Sequence, residues 1–493
     1  MRTAGVPEDP VRTAGVPEPG EIISVGTRAS GDGRIDPIEP PRPGAPMLRW
    51  LSHARTIDEI EIELGRMWAR PDLTVDVVDE RRGRHIAGRT SVMNLVVIAQ
   101  QPEVGERAAE MISRLTGRHP SRTMIVLSAD PDGPAWMDAR IQAHCVLPRP
   151  DAPETCSELI YLTAGGETGR HLTALVAPLL IHDLPVTAWW PGEPPLDTDP
   201  TDDVLAIADR LVVDGSGWSG DGLARLRQLA RLFEVHERLS IRDFALVRQS
   251  RWREAIATVF DHPDFLPFLA HLRRISVTYG TRDETGAPGT TNVVKPLYHV
   301  AWLASRLGMH VVSPLAPVEA KGRSGAAATS GRLRAGDQAQ LHRGLAARLR
   351  SGSSDVSVVM RPVTSPMPAG TTLRVELLAS WRGSELRADV TAESENVHVH
   401  AWLDGVEAMD RTFKAPRRTE SDLLGEALEV GGREPLAMDT ILMAARLAGP
   451  SPAGPSPAGN IGIGPSPAGP SPAGNIGIGR PRPDRTRPGG ANR

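Results

Sequence analysis

The pattern of hydrophobic and polar positions divides this 493-residue chain into an alternating first half and a strand-rich second half, flanked by two stretches without pattern. Thr56-Ile57-Asp58-Glu59 has capping-box spacing and opens a helix whose Ile57, Ile60, Leu64, Met67 and Trp68 form one apolar stripe, the mark of a core-facing surface. Beyond a polar span, the unbroken apolar run 94–99 predicts a buried strand, 104–117 a helix and 123–127 a second buried strand. Two further strands follow at 139–147 and 158–163. Helix 169–182, strand 185–190, helix 201–209, strand 210–214 and helix 222–234 continue the alternation, which predicts a layered α/β domain with a largely parallel sheet. Past 240 the character changes. Helices are predicted at 251–260, 264–273 and 297–307, and period-two alternation at 355–361, 371–380, 385–392 and 396–404 predicts an antiparallel sheet, closed by helices near 420–428 and 436–447. The expected fold class is therefore α/β, with an α+β region after the layered domain.

The run from His171 to Pro195 joins a helix to a strand and ends on two adjacent tryptophans, Trp189 and Trp190, against a Pro-Gly-Glu-Pro-Pro turn. Strand geometry sends their rings to opposite faces, so one is expected in the core and the other facing outward. Leu172 to Trp190 is mostly apolar, but His182-Asp183 in mid-run, with Pro178 and Pro185 beside it, argues against a membrane helix.

Residues 1–46 repeat Arg-Thr-Ala-Gly-Val-Pro-Glu at 2–8 and 12–18, and residues 449–463 recur unchanged at 464–478. Both arms are Pro- and Gly-rich, cannot bury a core, and are expected to be disordered. The last residues, from Arg480, are Arg-rich, so an electrostatic tether is the alternative to a solvated tail, and recruitment of a polyproline-binding domain is a further alternative. Residues 317–337, rich in Ala, Gly and Ser, read as an exposed insertion. With a net charge of −4, neither nucleic acid nor an anionic membrane is expected as the main partner. Only Lys295, Lys321 and Lys414 among the basic residues are lysine, which reads as codon bias. No apolar leader is visible at the N-terminus, and Cys145 and Cys156, eleven apart, read as two reduced buried thiols, with a disulfide as the alternative. A cytoplasmic protein is expected.

Signatures of catalysis are sparse. Gly215-Ser-Gly-Trp-Ser-Gly220 matches GxGxxG between an expected strand and helix, with Glu234 downstream; Trp218 and the late position of the motif favour a plain turn over dinucleotide binding. His398 and His400 share one side of a strand and would supply half of a metal site, without identifiable further ligands. Asp202-Asp203 read as helix N-terminal acids. Arg251-Trp252-Arg253 and Trp381-Arg382 combine the two residue types most enriched in binding hot spots.

Several segments, in order, resemble the glucose-6-phosphate dehydrogenase assembly protein family, OpcA: Arg89 to Ile98, His119 to Ile125, Pro178-Leu-Leu-Ile-His-Asp-Leu-Pro-Val-Thr-Ala-Trp-Trp-Pro-Gly192, Ala208 to Asp214, Trp252-Arg253-Glu254 and Trp302 to Gly308. The resemblance runs through 48–310 and more weakly to 447, and implies an N-terminal domain over 47–165, a C-terminal domain over 166–447 and a repeat tail over 448–493. It further implies a non-enzymatic binding partner of glucose-6-phosphate dehydrogenase, without catalytic residues, cofactor or metal of its own. Ring geometry makes Trp189 or Trp190, with Pro191 and Glu193, the expected contact, and the Arg251, Trp252, Arg253 group joins it. Asp183, Asp209 and Arg210 read as structural ion and cap groups of the same motif. Gly215 departs from the family pattern, where Ser is expected. The alternative reading is a sugar-phosphate- or nucleotide-binding α/β enzyme or sensor.

Overall fold

The computed structural model describes residues 44–69 and 91–450, apart from 131, 148, 150–153, 197, 283–288, 319–343, 394 and 430; for five short strands, 27–29, 35–37, 76–79, 83–85 and 88–89, it describes the backbone alone. Both arms, and the expected insertion from 319 onward, lie outside the described side chains.

The first sheet has nine strands. It opens with β1 (Pro46–Ala54), followed by helix α1 (Ile57–Ala69). The capping box forms there: Glu59 donates its backbone N–H to Thr56 Oγ1, while its carboxylate accepts from the Arg55 backbone. Next come β2 (Met93–Ala99), α2 (Pro102–Leu115), β3 (Ser121–Ser128), β4 (Trp136–Val146) and β5 (Thr155–Gly165). After the short helix α3 (Leu172–Val176), the chain runs through β6 (Val186–Trp189), α4 (Asp199–Ile207), β7 (Arg210–Val213), α5 (Leu223–Val235) and β8 (Ser240–Asp243). The strand order is β8-β7-β6-β2-β3-β5-β4-β1, with the pair Gly88–Arg89 on β5. From β8 to β5 every pairing is parallel; β4 and β1 add antiparallel edges. Because the chain winds outward from β2 first on one side and then on the other, the sheet is doubly wound, with its switch point between β2 and β6. The boundary expected at 165/166 therefore falls inside one sheet: β6, β7 and β8 complete what β2, β3 and β5 begin.

The second sheet follows α6 (Ser250–Phe260). It comprises β9 (Leu272–Thr281), β10 (His310–Pro317), β11 (Leu345–Ser351), β12 (Ser354–Thr364), β13 (Thr372–Trp381), β14 (Ser384–Glu393), β15 (Asn396–Leu403) and β16 (Val406–Lys414), with helix α7 (Val294–Arg306) between β9 and β10. Its order is β10-β11-β12-β9-β13-β14-β15-β16, and all pairs are antiparallel except β9 with β12. The helix expected over 264–273 is instead a 3₁₀ turn leading into β9. Apolar Ile275, Val277 and Tyr279 alternate with polar Arg274, Ser276 and Thr278 along β9, which is strand and not helix periodicity.

Two C-terminal helices, α8 (Glu420–Glu429) and α9 (Pro435–Ala448), return to the first half. Leu423, Leu424, Ala427 and Leu428 of α8 join α2 and Trp189 in the core on one face of the first sheet, and α9 packs on α5 and α7. An Arg118–Glu429 ion pair and an Arg210 bond to the Leu428 carbonyl fasten α8 in place. Cys145 and Cys156 are joined by a disulfide, which corrects the expectation of two free thiols. The register of the antiparallel β4–β5 pair sets them directly opposite one another, a relation that the eleven-residue gap conceals.

Candidate functional site

In open α/β sheets, ligands bind outside the carboxyl ends of the strands at the switch point. Here that crevice is closed by the chain itself. Gln100, directly after β2, donates from Nε2 to the Glu193 carbonyl at 2.9 Å. The Glu193 carboxylate accepts from the Ser219 backbone N–H at 2.9 Å, the Ser219 hydroxyl at 3.1 Å and Arg225 Nε at 2.8 Å. Burial alone would raise this carboxyl; the bonds from Arg225 and Ser219 outweigh it and hold the group below its ordinary range. The β2–α2 turn is Gln100-Gln101-Pro102-Glu103, in which Pro102 removes an amide donor and Glu103 brings negative charge to the helix N-terminus. That is the reverse of a pyrophosphate cradle.

The Gly215–Gly217 turn is equally committed. Gly215 N–H donates to Asp243 Oδ1 at 2.8 Å, Ser216 N–H to Asp214 Oδ1 at 3.1 Å and Gly217 N–H to the Asp214 carbonyl at 3.2 Å. Asn292 ties the turn to the start of α7 through its bonds to the Gly215 and Trp218 carbonyls, and the Trp218 ring is buried. The amides that would cradle a phosphate are spent on the carboxylates of Asp243 and Asp214 and on the Asp214 carbonyl, so GxGxxG here is a structural strap. The departure from the family pattern also has a cause: a Cβ on Gly215 would stand 2.5 Å from Asp243 Oδ2.

Asp243 is the hub of this strap. Its carboxylate takes bonds from Gly215, Ala245 and the Tyr298 hydroxyl, the last at 2.7 Å. Burial, reinforced by the neighbouring Asp214, raises its pKa to about 6 despite those bonds. Asp214 in turn pairs with Arg248 at 2.7 Å.

The expected contact residues fall into two groups. Trp189 and Trp190 do point to opposite faces, but both are buried, at 1% and 3% exposure, in different core clusters. The expected outward ring does not exist, because α8 covers the face that Trp189 enters. Pro191 and Glu193 are half-buried, and Glu193 serves the crevice bonds above. Arg251 is exposed beside Glu254, Trp252 leans on the His299 ring at 5.2 Å, and Arg253 turns inward to the Leu246 carbonyl at 2.7 Å. Asp209 caps as expected, accepting from the Val186 N–H at 2.9 Å, while Asp183 is exposed in a left-handed turn (φ 64°).

His398 and His400 do not converge on one point. His400 stands with Glu407 and Asp410, its Nδ1 3.1 Å from Glu407, whereas His398 bonds to Thr412.

His299, buried in α7, has no hydrogen-bond partner on either ring nitrogen. Burial, with nearby Arg253, lowers its pKa from 6.5 to about 3. Between those values only the unfolded chain takes up the proton, so this contribution to stability is complete above 6.5 and is lost as the pH falls toward 3. His144, lowered to about 4 by burial and Arg140, acts in the same sense. Asp243, raised in the fold, acts oppositely, its contribution being lost as the pH rises through about 6. Urea titrations are expected to show a midpoint that falls from pH 7 to pH 4, and His299→Leu is expected to flatten that fall; an unchanged pH slope contradicts the assignment.

One further feature escaped the sequence pattern. Between α6 and α7 lies an apolar cavity of about 230 Å³, lined by Ile256, Phe260, Leu266, Trp302, Leu303 and Arg306, with Asp261 also at its wall. Leu266 is 56% exposed beside it. The Trp302–Arg306 spacing on one helix carried the clue, but only the packing of α6 against α7 makes the recess.

Comparison with known proteins gives a family assignment and low-similarity structural neighbours. The neighbours include the transcriptional regulator Gal80p from Kluyveromyces lactis (10% identity, TM-score 0.34, covering 70% of this chain and 83% of that one) and the putative oxidoreductase yvaA from Bacillus subtilis (9%, 0.37, 72% and 95%). Apo scyllo-inositol dehydrogenase from Lactobacillus casei is similar at 9% identity and TM-score 0.35, over 73% of this chain and 95% of that one. At these scores they bear on no functional conclusion. No curated protein matches the sequence. Two family profiles do match: the N-terminal domain of the glucose-6-phosphate dehydrogenase subunit, over residues 95–231, and the C-terminal domain of the same family, over 239–439. Placed consecutively across the closed crevice and the second sheet, these two matches show that the chain belongs to the glucose-6-phosphate dehydrogenase assembly protein family, OpcA.

Proposed function

We propose that this protein is a non-catalytic assembly factor that activates glucose-6-phosphate dehydrogenase, at the entry to the oxidative pentose phosphate pathway, by binding its active oligomer in preference to other states. Family membership carries this reading. The closed switch-point crevice and the spent amides of the 215–220 turn support it over a nucleotide- or sugar-phosphate-binding enzyme, since neither phosphate site has donors to offer. The mechanism is linkage: the oligomeric equilibrium shifts by the ratio of affinities for the two states and by no more.

We place the contact on the exposed side of α6 and α7, where Leu266 and Trp302 line the apolar cavity and Arg251 is exposed at the start of α6. A large apolar side chain of the dehydrogenase filling that recess, with Arg306 at its wall and the exposed Arg251 further along α6, has the anatomy of an interface hot spot. Arg253 and Trp252 support this helix from within, and Trp189 and Trp190 act through the core. The test is co-purification with the dehydrogenase and sedimentation of its oligomer with and without this protein. Leu266→Glu with Arg251→Glu, both at exposed positions, is expected to weaken binding at least about tenfold while leaving the melting temperature unchanged. Undiminished binding moves the contact elsewhere, and no association of the wild type overturns the proposed function.

A further inference from the structure

The second sheet has two unlike faces. One faces α6, α7 and α9 and is apolar along its length, through residues such as Val358, Val277, Leu377 and Val399. The other is built mostly of half-exposed and exposed positions, with Ser276 and Asp389 buried among them, and its residues line up in register across the strands. One such row reads Arg348 on β11, Ser357 on β12, Arg274 on β9, Leu378 on β13, Arg387 on β14, Trp402 on β15 and Glu407 on β16.

Charge along this face is segregated. On the β9–β11–β12 half the outward charges are Arg274, Arg348, Arg350 and Arg361, opposed by Asp355. In the centre, Arg374 and Arg387 pair with Glu376 and Asp389. Toward the opposite edge come Glu393, Glu407 and Asp410, with Lys414 as the outward cation among the described residues there. Among the described residues no acidic group pairs with Arg274, Arg348 or Arg361. Three buried polar atoms of the central strands, Ser276 Oγ, Arg374 Nε and Asp389 Oδ1, make no hydrogen bond. Such atoms are costly unless another surface or water satisfies them.

We propose that this face is a self-association surface that receives a second copy of the chain. A two-fold axis lying in the interface parallel to the strands, midway between β9 and β13, reverses the strand order and keeps each row in place. It brings the basic half of one copy onto the acidic half of the other. In the row above, Arg348 then meets Trp402 and Glu407 of the second copy, a cation against a ring and a carboxylate. An axis perpendicular to the strands would set basic against basic. The extent is adequate: eight strands about 4.8 Å apart, with outward rows over about 20 Å, offer on the order of 700 Å² per copy, close to the roughly 800 Å² of a standard stable interface. Sheets packed face to face in this aligned way are a common arrangement. The surface lies across the sheet from the α6–α7 contact, so self-association leaves that contact open.

Sedimentation velocity on the full chain at micromolar concentration tests the inference. A dimer of the 52.9 kDa chain is expected, weakening as salt rises. Arg348→Glu and Glu407→Arg are each expected to weaken the dimer at least about tenfold, and the double variant to restore it, with thermal melts unchanged throughout. A monomeric wild type, a dimer indifferent to both reversals, or two weakened singles without rescue overturns the proposal. Dehydrogenase capture is measured in parallel. If the wild type is monomeric and the reversals abolish capture, this face belongs to the dehydrogenase and the self-association proposal falls while the assembly function stands.

Discussion

Trp189→Ala is expected to lower the unfolding free energy by about 3–5 kcal/mol, the range for removing a fully buried large ring that leaves a cavity. The ring lies between the first sheet and the helices over it, 6.4 Å from the Phe244 ring and in one cluster with Val97, Val212 and Leu423. It therefore holds β6 against α8, so the loss loosens the C-terminal helix from the first sheet as well as the strand itself. Trp189→Phe is the informative control. It keeps most of the apolar volume and removes an indole N–H that has no partner, so it is expected to cost far less than the alanine. Chemical denaturation of the two variants, with amide exchange on α8, measures both effects. Equal losses for Phe and Ala would show that the indole N–H, and not ring volume, matters at this position.

Glu158→Ala is expected to cost a similar 3–5 kcal/mol, for an electrostatic reason. Glu158 on β5 is completely buried and pairs in register with Arg122 on β3, itself nearly buried. The carboxylate also accepts from Trp68 Nε1 at 2.6 Å, and Arg122 reaches the Leu179 carbonyl at 2.9 Å. One ion pair thus joins two central strands, α1 and the turn before β6. Removing the carboxylate alone leaves the nearly buried Arg122 guanidinium with the Leu179 carbonyl and, at 3.9 Å, the half-exposed Glu61 carboxylate as its partners. Replacing both, as Glu158→Leu with Arg122→Met, removes the desolvation cost together with the attraction, and is expected to be much less harmful than either single change. A double-mutant cycle on urea midpoints checks this; additive losses would show that the two residues act independently.

Much of the first sheet was legible in the sequence because parallel strands buried on both faces are written as continuous apolar runs. Asn94 to Ala99 and Thr123 to Leu127 are such runs and sit where expected. Beta-strands with one wet face were harder. Leu272 to Thr281 carries two arginines directly after its first residue and follows a helix-like stretch, and Val406 to Lys414 at the sheet edge buries little besides Met409. The candidate site was legible only in part. Trp252 and Trp302 stood out as residues, but the recess between their helices depends on how those helices cross.

The hydrophobic pattern by itself determined the layered α/β character of the first half, the opposite directions of Trp189 and Trp190 and, through its motifs, the family, because period, alternation and local spacing are properties of the covalent chain. Tertiary structure alone decided where Trp189 ends up, since the helix that buries it lies more than two hundred residues further along the chain. It also decided that Cys145 meets Cys156, that the glycine-rich turn is locked by Asp243 and Glu193, and that charges scattered over six strands collect into two opposed halves of one face. Each of these rests on which distant segments become neighbours, a choice made by burial and strand register across the whole fold.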